Sequence, residues 1–112
     1  MREFESGATR DTDEGKPDYE GFLSPRVLIR YGKYMSKHRV QADGKLRDSD
    51  NWQKGIPIAQ YMKSKWRHFV DTWAWHRTKP VGADVEDSLC AELFNTMGML
   101  DEILKGKENG TD

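Results

Sequence analysis

The sequence predicts an all-α protein, a small bundle of three main helices with two of them long, preceded by an extended N-terminal arm. Two observations carry this prediction. Apolar side chains recur at three- and four-residue spacing in three separate segments, and each segment begins with residues suited to a helix start. No segment shows the alternation of apolar and polar residues that is typical of a strand. We therefore expect one helical domain in 112 residues.

Residues 1–21 are the predicted arm. Gly7, Gly15, Pro17 and Gly21 interrupt a charged segment in which no apolar periodicity is sustained, so we expect it to be extended. The helical domain is expected to span residues 22–106. Residues 107–112 are polar, and we expect them to form a disordered tail.

The first helix is predicted over residues 25–38. Ser24 supplies an N-cap and Pro25 a first-turn residue with the required φ. The residues that define its periodicity are Val27, Tyr31, Tyr34, Met35 and His38. A polar segment follows over residues 39–55, with a turn signal at residues 43–44. Because Trp52 stands in this polar segment, we expect the segment to fold back onto the helices.

Two long helices are predicted after this segment, one from Pro57 to near Arg77 and one from its cap at Asp84 to Gly106. The apolar stripe of the earlier helix is Ile58, Met62, Trp66, Phe69, Trp73 and His76. That of the later helix is Val85, Leu89, Leu93, Met97, Leu100 and Leu104. We expect both stripes to face the core, with His76 as a core histidine. A chain this short buries only about two-thirds of its unfolded surface, so we expect oligomerisation to complete the bundle.

Composition excludes several classes of protein. Lys and Arg number 18 and Asp and Glu number 19, so binding to nucleic acid through phosphate contacts is not expected. A single cysteine, Cys90, rules out zinc fingers and iron–sulfur sites, and we expect it to be a small buried residue. No apolar run approaches the roughly 20 residues that span a bilayer. We expect a cytoplasmic protein without a membrane partner.

Polar residues on the two long helices are candidates for chemistry. His68 and Asp71 are three residues apart, as are Glu92 and Asn95, so each pair can share a helix face. The first pair could bind a metal, act as an acid–base pair, or form only a boundary hydrogen bond. Glu86 lies on the leucine stripe and either has a partner or complements the helix dipole. Such carboxylates could hold a divalent cation between facing helices.

Several ordered motifs resemble one family. They are DNWQKGIP at residues 50–57, Tyr61, WRH at residues 66–68, SGATR at residues 6–10, EGK at residues 14–16, LSP at residues 23–25, and Asn95 followed by an apolar helix. Together they resemble the phage and bacterial dATP/dGTP diphosphohydrolase N-terminal domains. These are relatives of the all-α MazG-like nucleotide pyrophosphohydrolases. The resemblance covers residues 7–104.

The resemblance implies hydrolysis of a purine deoxynucleoside triphosphate to monophosphate and pyrophosphate, with Mg²⁺ or Mn²⁺ as the cofactor. MazG-like enzymes hold Mg²⁺ with carboxylates of an ExxE and an ExxD pair. The bound Mg²⁺ activates a water and neutralises the phosphates. The matching positions here read HxxD, at residues 68–71, and ExxN, at residues 92–95. Both pairs depart from the all-carboxylate pattern.

The residues that the resemblance and the spacing together nominate fall into three groups. The catalytic candidates are Asp71 and Glu92. The metal-ligand candidates are His68, Asp71, Glu86, Asp87, Glu92 and Asn95. The nucleotide-binding candidates are Lys16, Asn51, Trp52, Lys54 and Arg67.

The alternative function is a non-catalytic phage accessory module that binds a nucleotide or a host protein through a tryptophan-rich face. Four tryptophans in 112 residues exceed what one small core needs, and interfaces favour tryptophan. A contact between copies of the chain explains this excess equally well. The expected partners are therefore a purine deoxynucleotide and further copies of the chain, in the host cytoplasm if the protein is phage-encoded.

Overall fold

The computed structural model describes residues 2–80 and 84–110. Its elements in chain order are β1 (Arg2–Glu3), β2 (Thr9–Arg10), α1 (Tyr19–Phe22), α2 (Pro25–Lys37), a 3-10 turn (Asn51–Lys54), α3 (Ile58–Thr78) and α4 (Val85–Glu108). The prediction of an all-α protein with three main helices, two of them long, is confirmed. No helix in the described ranges is long and apolar enough to cross a membrane.

The arm contains a small hairpin, so the expectation of no strand was wrong. β1 and β2 are antiparallel, with Arg2 opposite Arg10 and Glu3 opposite Thr9. A turn with Gly7 at a φ of 88° joins them, a conformation that glycine adopts without a steric cost. Each strand has two residues, too few for the alternation that would reveal a strand in the sequence.

Side-chain caps start α2 and α4 where the sequence predicted. The Ser24 hydroxyl accepts a hydrogen bond of 3.2 Å from the Val27 amide, at the start of α2. Asp84 accepts one of 3.0 Å from the Asp87 amide, at the start of α4. The end of α4 differs from the prediction, because the helix continues through Gly106 to Glu108. A glycine inside a helix costs only about 1 kcal/mol relative to alanine, so it need not end one.

The closest packing in the molecule is between α3 and α4. The Tyr61 side chain is 1% exposed and lies directly over Gly98. A Cβ at residue 98 would lie 2.5 Å from Tyr61 Cε1 and Oη, so only glycine permits this approach. Cys90 and Ala91 are buried on the same helix, which confirms the prediction for the cysteine. Burial raises the pKa of the Cys90 thiol.

The large apolar stripes do not face this packed interface, so that prediction was wrong. Trp66 is 62% exposed and Trp73 is 57% exposed, and the leucine stripe of α4 is similarly exposed. The predicted core histidine, His76, is also exposed. The more buried side chains of α3 are Tyr61, Ser64, Lys65, His68, Thr72, Ala74 and Trp75. Small residues of α4 bring the helices close, and the stripes with the largest side chains cannot occupy such a narrow space.

The single chain is elongated. Its principal extents are 57 × 39 × 31 Å and its radius of gyration is 19.2 Å. A compact domain of this length has a radius of gyration of about 13 Å. The difference arises because the exposed arm adds length and because α3 and α4 pack as a hairpin that α2 contacts along only part of its length.

Candidate functional site

A cleft of about 270 Å³ lies where α2, the segment of residues 39–56, α3 and α4 meet. Its walls are Tyr34, Met35 and His38 of α2; Arg39, Arg47, Asp48, Ser49, Asn51, Trp52 and Ile56 of the connecting segment; Ser64 and His68 of α3; and Ala91, Phe94 and Asn95 of α4. Arginine, histidine, amide and aromatic side chains from all three main helices and the connecting segment therefore face one space.

A tight backbone turn brings the two arginines to this cleft. The Arg47 amide donates a 2.7 Å hydrogen bond to the Arg39 carbonyl, and an antiparallel bridge joins Val40 to Leu46. Gly44, at a φ of 83°, allows the reversal between them. Arg39 Nε also donates to the Arg47 carbonyl at 2.8 Å. That bond fixes the Arg39 side chain and leaves its terminal NH₂ groups free to donate elsewhere.

Trp52 confirms that the polar segment folds back onto the helices. Its ring meets the ring of Phe94 edge to face, with centroids 6.5 Å apart. Phe94 in turn contacts Tyr61 at 6.0 Å, within the packed part of α3 and α4. Lys105 Nζ donates a 3.2 Å hydrogen bond to the Gln53 carbonyl and holds the same turn from outside. The indole is therefore held on the body of the protein at the edge of the cleft.

Asn95 is the one buried polar residue of the described chain, at 4% exposure. Its side-chain nitrogen donates to Ser64 Oγ at 3.0 Å and to the Ala91 carbonyl at 2.8 Å. These two bonds use both hydrogens of the amide. The group that Asn95 can offer to a ligand in the cleft is therefore its acceptor oxygen.

Two histidines line the cleft from different helices. The His38 ring lies 4.2 Å from the Tyr34 ring, and His68 reaches the cleft from α3. Burial lowers the pKa of His38, the nearby charges of Lys37, His68 and Arg47 lower it further, and Asp87 acts in the opposite direction. His38 is therefore neutral near pH 7, and an anionic ligand beside it would favour its protonation.

The cleft contains four of the residues nominated from the sequence, namely His68, Asn95, Asn51 and Trp52. Asp71 is exposed on α3 and does not line it, although it shares a helix with His68. The nucleotide-binding candidates Lys16, Lys54 and Arg67 are also exposed outside the cleft.

Glu86 and Asp87 are engaged by cations of α2 outside the cleft. Arg30 lies 2.7 Å from each carboxylate, and Lys37 also pairs with Asp87. The hydrogen bonds from Lys37 and Arg30 lower the pKa of Asp87. Glu86 therefore has a charged partner, as the first of its two interpretations required. The position of Glu86 in the first turn of α4 also complements the helix dipole, as the second required. These ion pairs tie α2 to the start of α4.

The Glu92 side chain is bonded to α3 and does not point into the cleft with Asn95. Its Oε2 accepts a 2.5 Å hydrogen bond from Thr72 Oγ1. It lies beside a separate groove that also includes Lys65 and Trp66. The ExxN pair of α4 is therefore divided, with Asn95 in the cleft and Glu92 outside it.

The predicted metal ligands do not converge within one chain. Across residues 2–80 and 84–110, no group of three His, Cys, Asp or Glu side chains is arranged to hold a metal ion. Of the six candidates, Glu86 and Asp87 neutralise cations, Glu92 is bonded to Thr72, and Asp71 is exposed. The donor set of this chain alone thus does not fit Mg²⁺, and the metal site stays a prediction.

No protein-family model matches the chain. Searches of curated proteins and of solved structures found no match either. The resemblance to the dATP/dGTP diphosphohydrolase domains thus stays a prediction from the motifs in the sequence.

Sequence reasoning missed one side of the cleft, which consists of two cationic residues, Arg39 and Arg47, and the imidazole of His38. A signal for it was present. The Asp-Gly turn at residues 43–44 lies midway between the two arginines, so a hairpin there would pair them, and His38 directly precedes the first of them. Ser64 gave no such signal, because its role depends on a contact with Asn95 of another helix.

Proposed function

We propose that the cleft binds a purine deoxynucleoside triphosphate. The observation that carries the proposal is the convergence of two arginines and two histidines with an aromatic ring and a fixed amide acceptor in one space. Cationic donors suit phosphates, and an aromatic ring suits a base. The purine and deoxyribose parts of the proposal come from the family resemblance.

The phosphate end of the ligand is assigned to Arg39 and Arg47. Arg39 retains terminal donors after its bond to the Arg47 carbonyl, and a guanidinium can bind two phosphate oxygens at once. His38 adds a donor when it is protonated, which a neighbouring phosphate favours. Lys16, Lys54 and Arg67 are not needed for this assignment.

The base end is assigned to Trp52 and Asn95. Trp52 offers an indole at the cleft edge, held by its contact with Phe94. The acceptor oxygen of Asn95 can receive a hydrogen bond from an exocyclic amino group, which adenine and guanine both carry. Thymine lacks such a group, so it would leave this buried acceptor unpaired, at an energetic cost.

Of the two functions that the sequence offered, the geometry favours the non-catalytic nucleotide-binding module over the metal-dependent hydrolase. The cleft supplies groups for binding, whereas the carboxylates nominated for catalysis, Asp71 and Glu92, lie outside it. Hydrolysis with Mg²⁺ or Mn²⁺ is the second candidate, and it rests on the resemblance.

Thermal unfolding and calorimetric titration with each dNTP test the proposal. We expect dATP or dGTP to raise the melting temperature more than dTTP does, and Arg47→Gln to weaken binding about 10-fold or more, since a hydrogen bond to a charged group contributes about 1.5–3 kcal/mol. Arg67→Gln is the matched control, an exposed arginine outside the cleft. It should leave the dissociation constant unchanged.

Two results would overturn this assignment. One is the absence of binding by any dNTP, and the other is an equal loss of affinity for Arg67→Gln and Arg47→Gln. Pyrophosphate release, measured in parallel with Mg²⁺ and with Mn²⁺, separates the two functions. Binding without release identifies the binding module, and release identifies the hydrolase.

A further inference from the structure

One face of α3 is left uncovered by the residues that the structure describes, 2–80 and 84–110. It consists of Ile58, Met62, Trp66, Phe69 and Trp73, which we call the tryptophan face. These side chains recur every three or four residues, so they form one stripe along the helix. Each is more than 40% exposed, and Trp66 reaches 62%. Monomeric proteins seldom expose a contiguous apolar patch of more than a few hundred Å².

The total surface of the chain gives an independent measure of what is uncovered. The accessible surface is 9178 Å² for a mass of 13.0 kDa. A folded monomer of this mass exposes about 6,300 Å². The difference is on the order of 3,000 Å², whereas a standard interface covers about 800 Å² of each partner. The arm accounts for part of this excess, and the exposed helix faces for another part.

The buried core is too small for the number of residues. In the part of the chain that the structure describes, the buried apolar side chains are Tyr61, Cys90 and Ala91. Burial of apolar area is the main term that opposes the conformational entropy of the chain. A fold with most of its large apolar residues exposed therefore lacks that term until another surface covers them.

We propose that a second copy of this chain covers the tryptophan face in a two-fold symmetric dimer. The five side chains of the face together expose roughly 550 Å² per chain, given that a whole large aromatic side chain contributes about 150–250 Å². Two such faces give about 1,100 Å², close to the lower limit of stable interfaces. Tryptophan, phenylalanine and methionine are also the residues that interfaces favour.

The charge around the face fits a copy of the same chain. The adjoining groove of about 330 Å³ contains one cation, Lys65, and one anion, Glu92, beside Met62, Trp66 and Phe69. The five residues of the face itself are uncharged. A two-fold axis places each patch against the same patch of the other copy. Charges of a single sign would then repel each other across the contact, whereas a patch with one positive and one negative charge avoids this repulsion. This inference is independent of the nucleotide proposal, because the face does not line the cleft.

Light scattering after gel filtration of the full chain tests the proposal. We expect a mass of twice 13.0 kDa. Phe69→Lys should raise the dimer dissociation constant about 30-fold or more, the effect of losing a central aromatic residue and burying a charge. Phe22→Lys is the matched control, since Phe22 is 74% exposed on α1, outside the face. It should leave the mass unchanged.

A second measurement covers the case in which Phe69→Lys does not fold. The melting temperature of the wild-type chain should then rise with protein concentration, as it does for a fold coupled to association. Trp66→Ser should lower it more at high concentration than at low, because the association that it weakens stabilises the wild type only where the copies associate. A wild-type mass of 13.0 kDa at all concentrations would overturn the proposal. So would a dimer that Phe69→Lys and Trp66→Ser leave intact, because another surface would then join the copies.

Discussion

The approach of Tyr61 to Gly98 supports a sharp prediction for Gly98→Ala. Alanine in the middle of a helix is ordinarily more stable than glycine by about 1 kcal/mol. At residue 98 the new methyl group would lie 2.5 Å from Tyr61 Cε1 and Oη. Comfortable contacts between such atoms are about 3.5–4.0 Å, so the two side chains would have to separate by about 1 Å.

Tyr61 cannot move away without disturbing the interface. Its side chain is 1% exposed and its ring also contacts Phe94. Overpacking of this kind costs about 1–3 kcal/mol. The overlap is large, so the upper part of this range applies, and it exceeds the gain of about 1 kcal/mol in helix propensity. We expect Gly98→Ala to lower the free energy of unfolding by about 1–2 kcal/mol.

Urea unfolding at one fixed protein concentration measures this effect, since association would otherwise change the apparent stability. The matched control is Gly32→Ala in α2, where an added Cβ meets no atom within 4 Å. This control should be more stable than the wild type by about 0.5–1 kcal/mol. Combining Gly98→Ala with Tyr61→Phe should recover part of the loss, because the hydroxyl oxygen is one of the three Tyr61 atoms, with Cζ and Cε1, that the methyl group meets. Equal stabilisation by the two Gly→Ala substitutions would refute the reasoning.

Three further predictions concern Tyr61, His38 and Asp87. Tyr61→Phe alone should be neutral or stabilise the protein by up to about 1 kcal/mol, because the buried hydroxyl finds no hydrogen-bond partner among the described residues. Burial in the folded state lowers the pKa of His38, so the unfolded chain binds more protons than the folded one. The free energy of unfolding should therefore fall as the pH drops below about 6.5. His38→Gln should remove this dependence of stability on pH. The pKa of Asp87 is lowered by Lys37 and Arg30, so its contribution is present above its ordinary pKa of 3.8 and is lost as pH falls further. Asp87→Asn should lower the melting temperature at pH 7 and abolish this acid-range loss.

Each of these predictions has a contrary result. A clear loss of stability in Tyr61→Phe would mean that the hydroxyl has a partner in solution. Unfolding curves measured from pH 8 to pH 5 that are the same for the wild type and His38→Gln would contradict the prediction for the imidazole. For Asp87, the contrary result is a melting temperature at pH 7 that the substitution leaves unchanged. The control in that series is Asp71→Asn, because Asp71 is an exposed carboxylate outside these ion pairs.

Four residues of the candidate cleft, Asn51, Trp52, His68 and Asn95, were nominated from the sequence. Trp52 and Asn51 were found because a tryptophan in a polar segment and a specific motif are visible along the chain. His68 and Asn95 were found as members of polar pairs on long helices. The other members of those pairs, Asp71 and Glu92, lie outside the cleft. Three residues of helical separation rotate a side chain by about 60°, enough to place one member of a pair in a cleft and the other outside it.

The sequence by itself determined where α2 and α4 begin, because their caps, Ser24 and Asp84, act within a few residues of themselves. Helical periodicity likewise revealed the apolar faces, but not what covers them. Only the tertiary structure decided that α3 and α4 pack through Tyr61 and Gly98 and leave Trp66 exposed. The physical reason is that the distance between two helices depends on the small side chains at their contact. The hydrophobicity of a side chain shows that burial is favourable. It does not show whether residues of this chain or of another chain bury it.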